Sequence, residues 1–176
     1  FIKTKLIEKE LMENLSLEKI SINRQIFPFG LYIKIQKRQP VAFANKKVNG
    51  AIVEGFVDKD GVFIDNKYLS EREKLIFPIK IIGWDKDYKE VISLIIKKYE
   101  DNNDLAVIKI SSEGFLTLED NFLQKIYLGS QIQQLEEKLN IVFDIKEQIK
   151  KQKIDKKIKI LDLTDLNNPK IKVFIP

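Results

Sequence analysis

Hydrophobic and polar residues at the start of the chain predict one helix followed by two strands. Residues 2–15 carry apolar side chains at helical spacing, and residues 17–26 carry them at nearly every second position. After the turn Phe27-Pro28-Phe29-Gly30, apolar and polar side chains alternate again over residues 31–36. Pro40 should end this strand or lie at a sheet edge, because proline has no backbone N–H to donate. One helix and two strands make a poor core, so we expect them to pack on another element, downstream or earlier in a longer protein.

A second unit is predicted after the polar stretch at residues 45–50, where the apolar pattern lapses. We place a domain boundary here, which divides the chain into residues 1–43 and 44–176. The second unit opens with a predicted hairpin, since two apolar segments flank the turn Lys59-Asp60-Gly61.

The rest of the second unit mixes helices with short strands. We predict helices over residues 86–100, where Asp85 can cap the first turn, and over about residues 131–150. The apolar stripe of the longer helix stops at Lys146, which favours packing on a sheet over a coiled coil. Ser70-x-x-Glu73 has the spacing of a capping box for a short helix. Strands are predicted at residues 105–110, 115–118, 124–128, 157–163 and 170–175.

The composition argues against most enzyme classes. The chain has no Cys and no His, which removes thiolate nucleophiles, Cys/His zinc sites, Ser-His-Asp triads and the usual general base near neutral pH. Phosphate-binding glycine loops of the Walker or dinucleotide type are also missing from the sequence. We therefore expect a protein that is not an enzyme and that carries no cofactor.

The net charge of +5 raises the question of a nucleic-acid partner. Only Arg24, Arg38 and Arg72 among the 31 basic residues carry the forked guanidinium that base and phosphate readers favour. The densest basic run, residues 146–159, holds seven lysines and is interpreted as a solvated helix end and connector. An acidic partner or a membrane surface is the alternative for this run.

Acidic residues and the single tryptophan offer few candidates for chemistry. Asp58, Asp60 and Asp65 suggest a calcium loop, but the position that needs a bidentate glutamate is occupied by Leu69, which favours a hairpin turn. The carboxylate pairs Asp85/Asp87 and Asp162/Asp165 belong to no recognisable catalytic motif. Trp84 is expected to pack where a strand turns into a helix, with a role as a binding anchor as the alternative.

The order of several short motifs resembles the extracytoplasmic part of the FtsQ/DivIB family of bacterial division proteins. Arg24 followed by Phe27-Pro28 is similar to the end of one family strand, and Arg38, Pro40, Val41 and Ala42 match the strand after it. The segment Phe56-Val57-Asp58-Lys59-Asp60-Gly61-Val62-Phe63 resembles the family's signature hairpin. Further landmarks are Phe77-Pro78-Ile79 with Gly83, Leu128-Gly129, and Leu161-Asp162-Leu163. The chain departs from the family pattern at Lys37, Thr164 and Asp165.

This resemblance implies an α+β fold in two parts. Residues 1–43 would be the C-terminal part of a POTRA domain whose first strand and helix are missing. Residues 44–176 would be a β domain with a curved, mainly antiparallel sheet flanked by helices.

The resemblance also implies a function and a location. The family scaffolds septum formation in cell division, binds FtsB-like and FtsL-like proteins, and is held in the inner (plasma) membrane by one transmembrane helix, which here would lie outside the given sequence. Other division proteins would be reached through the POTRA part, and nucleic acid is not an expected partner.

The final strand is the predicted partner-binding site. It lies next to a chain end and is expected to be a sheet edge, whose unpaired backbone groups can template another strand. The site residues are Ile171, Lys172, Val173, Phe174 and Ile175. Phe174 matches a family aromatic and is predicted to be the anchor, with packing on its own domain as the alternative.

Two other functional classes remain open at this point. One is a POTRA-type chaperone or assembly domain of an outer-membrane or secretion system. The other is a basic nucleic-acid-binding module, whose affinity would fall steeply with salt.

Overall fold

The computed structural model describes residues 4–70, 77–152 and 158–173, and these form a mixed α+β structure. The helices are α1 (Thr4–Asn14), α2 (Lys89–Lys98) and α3 (Leu135–Gln152). The strands are β1 (Leu17–Gln25), β2 (Gly30–Lys37), β3 (Pro40–Val48), β4 (Ala51–Asp58), β5 (Phe63–Asp65), β6 (Ile79–Ile82), β7 (Leu105–Ile110), β8 (Leu116–Asp120), β9 (Gln124–Gly129), β10 (Ile158–Asp162) and β11 (Lys170–Val173). The coarse α+β prediction is confirmed. The proposed capping box at Ser70 and Glu73 extends outside the described residues.

The first helix and hairpin form a small unit of their own. β1 pairs with β2 in a two-stranded antiparallel sheet, and α1 packs on β1. Leu17, Ile20 and Ile22 are buried here with Leu11 packed against them, while every residue of β2 is exposed. This buried cluster is small, as expected for a segment of one helix and two strands.

The other nine described strands form one large sheet in the order β11-β10-β9-β8-β7-β6-β3-β4-β5. Most neighbouring pairs are antiparallel, and the parallel pairs are β3 with β6, β6 with β7, and β9 with β10. Two of the parallel connections run through α2 and α3, as parallel neighbours require a crossover. In the part of the chain that the structure describes, no helix is long and apolar enough to cross a membrane.

The main core lies between the large sheet and helices α2 and α3. Val91, Ile92, Ile95 and Ile96 of α2 share one buried cluster with inward-facing strand residues and with the apolar stripe of α3. The two helices also touch each other, since the rings of Tyr99 and Phe143 lie 4.9 Å apart. The predicted packing of the long helix on the sheet is therefore confirmed.

The polar stretch at residues 45–50 is the end of a hairpin within the large sheet. β3 pairs with β4 in a continuous antiparallel register from Ala42↔Val57 to Val48↔Ala51. Lys46 fits this strand because its ammonium lies over the Phe63 ring, 4.1 Å from the ring centroid, in a cation–π contact. The division between residues 43 and 44 falls inside β3, which Pro40 begins.

Candidate partner-binding edge

β11 lies at one end of the nine-stranded sheet and pairs only with β10 among the described strands. All four of its residues are exposed, including Ile171 at 52% and Val173 at 39% of their full accessibility. The predicted edge position of Lys170–Val173 is confirmed. Phe174 and Ile175, which complete the predicted site, lie outside the described residues.

The register of β10 with β11 assigns the β11 side chains to the two faces of the sheet. Ile171 is opposite Leu161 and Val173 is opposite Ile158, and both of these β10 residues are buried in the main core. Because directly opposed residues project from the same face, Ile171 and Val173 extend the core face past the last covered strand. The result is a short apolar strip beside a backbone edge that pairs with no further strand among the described residues.

The lysines of β11 project from the other face. Lys170 is opposite Asp162, and Lys172 is opposite Ile160. Asp162 accepts hydrogen bonds from the Thr164 hydroxyl at 2.7 Å and from the Thr164 backbone N–H at 3.0 Å. The Thr164 hydroxyl is the largest influence that lowers the pKa of Asp162, and the charges of Lys170 and Lys138 act in the same direction. The second predicted site residue of the strand, Lys172, thus projects from the same face as Lys170 and Asp162.

Local backbone bonds hold this edge in place. β10 pairs with β9 on its inner side, and the Leu163 N–H extends that contact to the Tyr127 carbonyl at 2.8 Å. The loop before β11 is closed by Asp165, whose side chain accepts from the Asn167 N–H at 2.9 Å. Asp165 therefore acts as a turn-forming residue.

The opposite end of the sheet is an edge of a different kind. β5 has only three residues, and Phe63 and Ile64 are buried. Phe63 packs on Trp84, and Ile64 belongs to a second cluster with Phe56 and Leu69. This edge is covered by side chains, whereas no strand of the described part of the chain pairs with the outer side of β11, and its four described residues are exposed.

A buried ionic cluster beneath α3 is the principal feature that sequence reasoning missed. Lys146 is buried and forms ion pairs with Asp120 and, at 3.2 Å, with Asp104. The Tyr99 hydroxyl donates a hydrogen bond to Asp120 at 3.0 Å, and burial, followed by the charge of Asp120, raises the pKa of Tyr99. The interpretation of Lys146 as part of a solvated helix end is wrong.

The hydrogen bonds of this cluster indicate a structural role. The other carboxylate oxygen of Asp120 accepts from the backbone N–H groups of Phe122 and Leu123, both at 2.8 Å. The cluster therefore ties α2, α3 and the β8–β9 turn together, and each oxygen of Asp120 already accepts from groups within the chain. The sequence signal was the position of Lys146, four residues after the buried Val142 on the stripe of α3.

Lys138 is a second buried lysine on the same helix. Its ammonium donates a hydrogen bond to the Leu128 carbonyl at 2.6 Å. Burial lowers the pKa of Lys138, although the charges of Asp162 and Asp165 oppose that change. Lys138 thus links α3 to the end of β9, which lies two strands from the candidate edge.

The remaining sequence candidates serve the scaffold. Asp58 accepts hydrogen bonds from the backbone N–H groups of Asp60 and Val62 and pairs with Arg38 at 2.5 Å, so the hairpin-turn interpretation is confirmed. Asp85 accepts from the Asp87 N–H at 2.9 Å and caps a short 3₁₀ turn before α2. In the described ranges, no group of three or more acidic side chains is arranged to hold a metal ion.

Trp84 lies between β6 and the turn that leads to α2. Its ring lies 5.2 Å from that of Phe63, and its indole N–H donates to the Gly61 carbonyl at 2.9 Å. The predicted packing role is confirmed.

In comparisons with known proteins, neither a protein-family model nor a curated protein sequence matches the chain.

Proposed function

We propose that this chain is the extracytoplasmic part of a non-enzymatic division scaffold of the FtsQ/DivIB type, and that it binds a partner by strand addition at β11. In this proposal, residues 1–43 belong to a partial POTRA domain and the following residues to the family's β domain. The partners are FtsB-like and FtsL-like proteins, and the anchor is a single membrane span that is not part of residues 1–176.

The observation that carries the proposal is the open edge of β11. An edge strand presents unpaired backbone N–H and C=O groups, which an extended segment of another protein satisfies by adding one strand. The four described residues of β11 are all exposed. Ile171 and Val173 stand beside the core face, so a partner strand would also gain apolar contacts there.

The two faces of β11 define the partner strand that fits best. Side chains on the core face should be apolar, because they would lie next to Ile171 and Val173. Side chains on the other face should be acidic, because they would lie next to Lys172 and Lys170. We therefore expect a strand in which apolar and acidic residues alternate.

Proline substitutions along β11 test the mechanism. Neighbouring residues of a strand direct their N–H groups to opposite sides, so Ile171 and Val173 share one side and Lys172 the other. The variants therefore fall into two sets: Ile171→Pro and Val173→Pro form one, and Lys172→Pro alone forms the other. In the set whose N–H groups point away from β10, proline should remove a donor from the outer edge and abolish binding, while the melting temperature stays nearly constant. The other set should instead break a bond to β10 and lower the melting temperature.

Binding is measured by titrating the cognate FtsB-like segment against each variant. Glu119→Pro in the interior strand β8 is the control for a proline that disrupts the sheet itself. Unchanged affinity in all three β11 variants would contradict strand addition at this edge.

A further inference from the structure

The tip of the β1–β2 hairpin carries the most exposed large apolar side chains among the described residues. Ile26, Phe27 and Phe29 are 81%, 89% and 90% exposed. They are consecutive apart from Pro28, and they lie in the turn between the last paired residues, Gln25 and Gly30. Single exposed apolar residues are ordinary, but an apolar run at the end of a projecting hairpin marks an interaction site.

The strands behind the tip are basic. β1 carries Lys19 and Arg24, β2 carries Lys34 and Lys37, and the acidic residue of the two strands is Glu18. Glu18 lies at the far end from the turn and accepts a hydrogen bond from the Gln36 side chain at 2.8 Å. Arg24 and Lys34 lie within about 15 Å of the turn along the strands. The order along the hairpin is therefore an apolar tip followed by a mainly basic band, in which a carboxylate, that of Glu8 from α1, accepts a hydrogen bond from the Ile22 N–H at 2.7 Å.

The backbone of the tip is adapted to a less polar environment. Pro28 has no N–H group, and the Phe27 carbonyl accepts a hydrogen bond from the Gln25 side chain at 3.3 Å. Each satisfied or absent polar group reduces the cost of removing the turn from water. Tyr32, 60% exposed, adds an aromatic side chain with a polar end near the start of β2.

We propose that this hairpin inserts its tip into the surface of an anionic phospholipid bilayer. Ile26, Phe27 and Phe29 enter the boundary between headgroups and acyl chains, and Arg24 and Lys34 remain at the level of the lipid phosphates. Aromatic side chains favour this interface, and each cation near an anionic surface adds electrostatic attraction. The positive charge of the band favours an anionic bilayer over a neutral one, and the apolar side chains of the tip favour insertion into it.

Vesicle co-sedimentation with the whole chain tests the proposal. Wild-type protein should sediment with phosphatidylglycerol-rich vesicles, bind pure phosphatidylcholine vesicles much more weakly, and lose binding as salt is raised. The double variant Phe27→Ser/Phe29→Ser should reduce the partition coefficient by about tenfold or more, because two large apolar side chains are removed. Lys34→Gln should cause a smaller loss that disappears at high salt.

Phe115→Ser is the matched control, since Phe115 is an exposed phenylalanine in another turn of the chain. It should bind vesicles like the wild type. Phe29→Trp supplies a direct readout: its added emission should shift to the blue with anionic vesicles and be quenched by brominated acyl chains.

Equal binding by wild type and Phe27→Ser/Phe29→Ser would overturn the proposal, and so would equal binding to anionic and neutral vesicles. Sedimentation velocity without lipid tests the alternative that the hairpin tip binds a second copy of this chain. A dimer that the double serine variant dissociates, with no change in vesicle binding, would also overturn it. These measurements do not involve β11, so they succeed or fail separately from the proposed strand addition.

Discussion

The two ends of the large sheet differ in how far other residues of the chain cover the edge strand. β5 is short, and its neighbours cover it with Trp84 on one side and the Phe56 cluster on the other. β11 is exposed at every described position, although it contains two β-branched residues suited to burial. This difference shows that a strand at the end of a sheet is not, by its position alone, available for binding a partner. An edge is available only where no other part of the chain covers it.

The largest expected effect concerns the interior of the half of the sheet that carries β11. Asp120→Ala should lower the free energy of unfolding by about 4–5 kcal/mol, because Lys146 and Tyr99 lose a buried partner and two backbone N–H groups are orphaned. The measurement is urea unfolding followed by circular dichroism. The neighbouring Glu119→Ala, at an exposed position of the same strand, should change it by less than about 0.5 kcal/mol.

Neither variant alters β11, so this pair measures how far the ionic cluster stabilises the half of the sheet that carries the exposed edge. Similar losses for Asp120→Ala and Glu119→Ala would mean that the ionic cluster does not hold this half together.

The second prediction compares the two edges directly. Phe63→Ala should destabilise the protein by about 3–4 kcal/mol, since it leaves a cavity beside Trp84 and removes the ring under Lys46. Ile171→Ala should cost less than about 0.5 kcal/mol in the absence of a partner, because its side chain is half exposed. Thermal and urea unfolding of both variants give the comparison. A loss for Ile171→Ala as large as that for Phe63→Ala would show that β11 is covered in solution.

The smallest effect is a pH dependence at the open edge. The pKa of Asp162 is lowered in the folded protein, so its contribution to stability is fully present above the ordinary carboxylate pKa of about 4. That contribution should be lost as pH falls through the lowered value. The stability difference between wild type and Asp162→Asn should therefore be constant near neutral pH and shrink below about pH 4. A difference that grows on acidification would contradict the assignment.

Local patterns were sufficient to predict most elements of the fold. The alternation in β1, β2 and the strands from β7 to β11, and the helical spacing in α2 and α3, identified these segments within a few residues. The turn at Asp60-Gly61 was predicted because its acidic and glycine residues have known backbone preferences. Strand β3 and the burial of Lys146 were not predicted. Lys46 of β3 and Lys146 were both interpreted as polar positions, but lysine has a long apolar stem, and the ammonium of each lies over an aromatic ring.

The sequence by itself determined the α+β character, the order of most elements and the edge position expected for the last strand. These depend on interactions between residues close in the chain and on which side chains prefer burial. Only the tertiary structure decided that the described residues of β11 stay exposed while β5 is covered, and that Asp104, Asp120 and Lys146 meet under α3. Both outcomes depend on contacts between segments far apart in the chain, which no local pattern encodes.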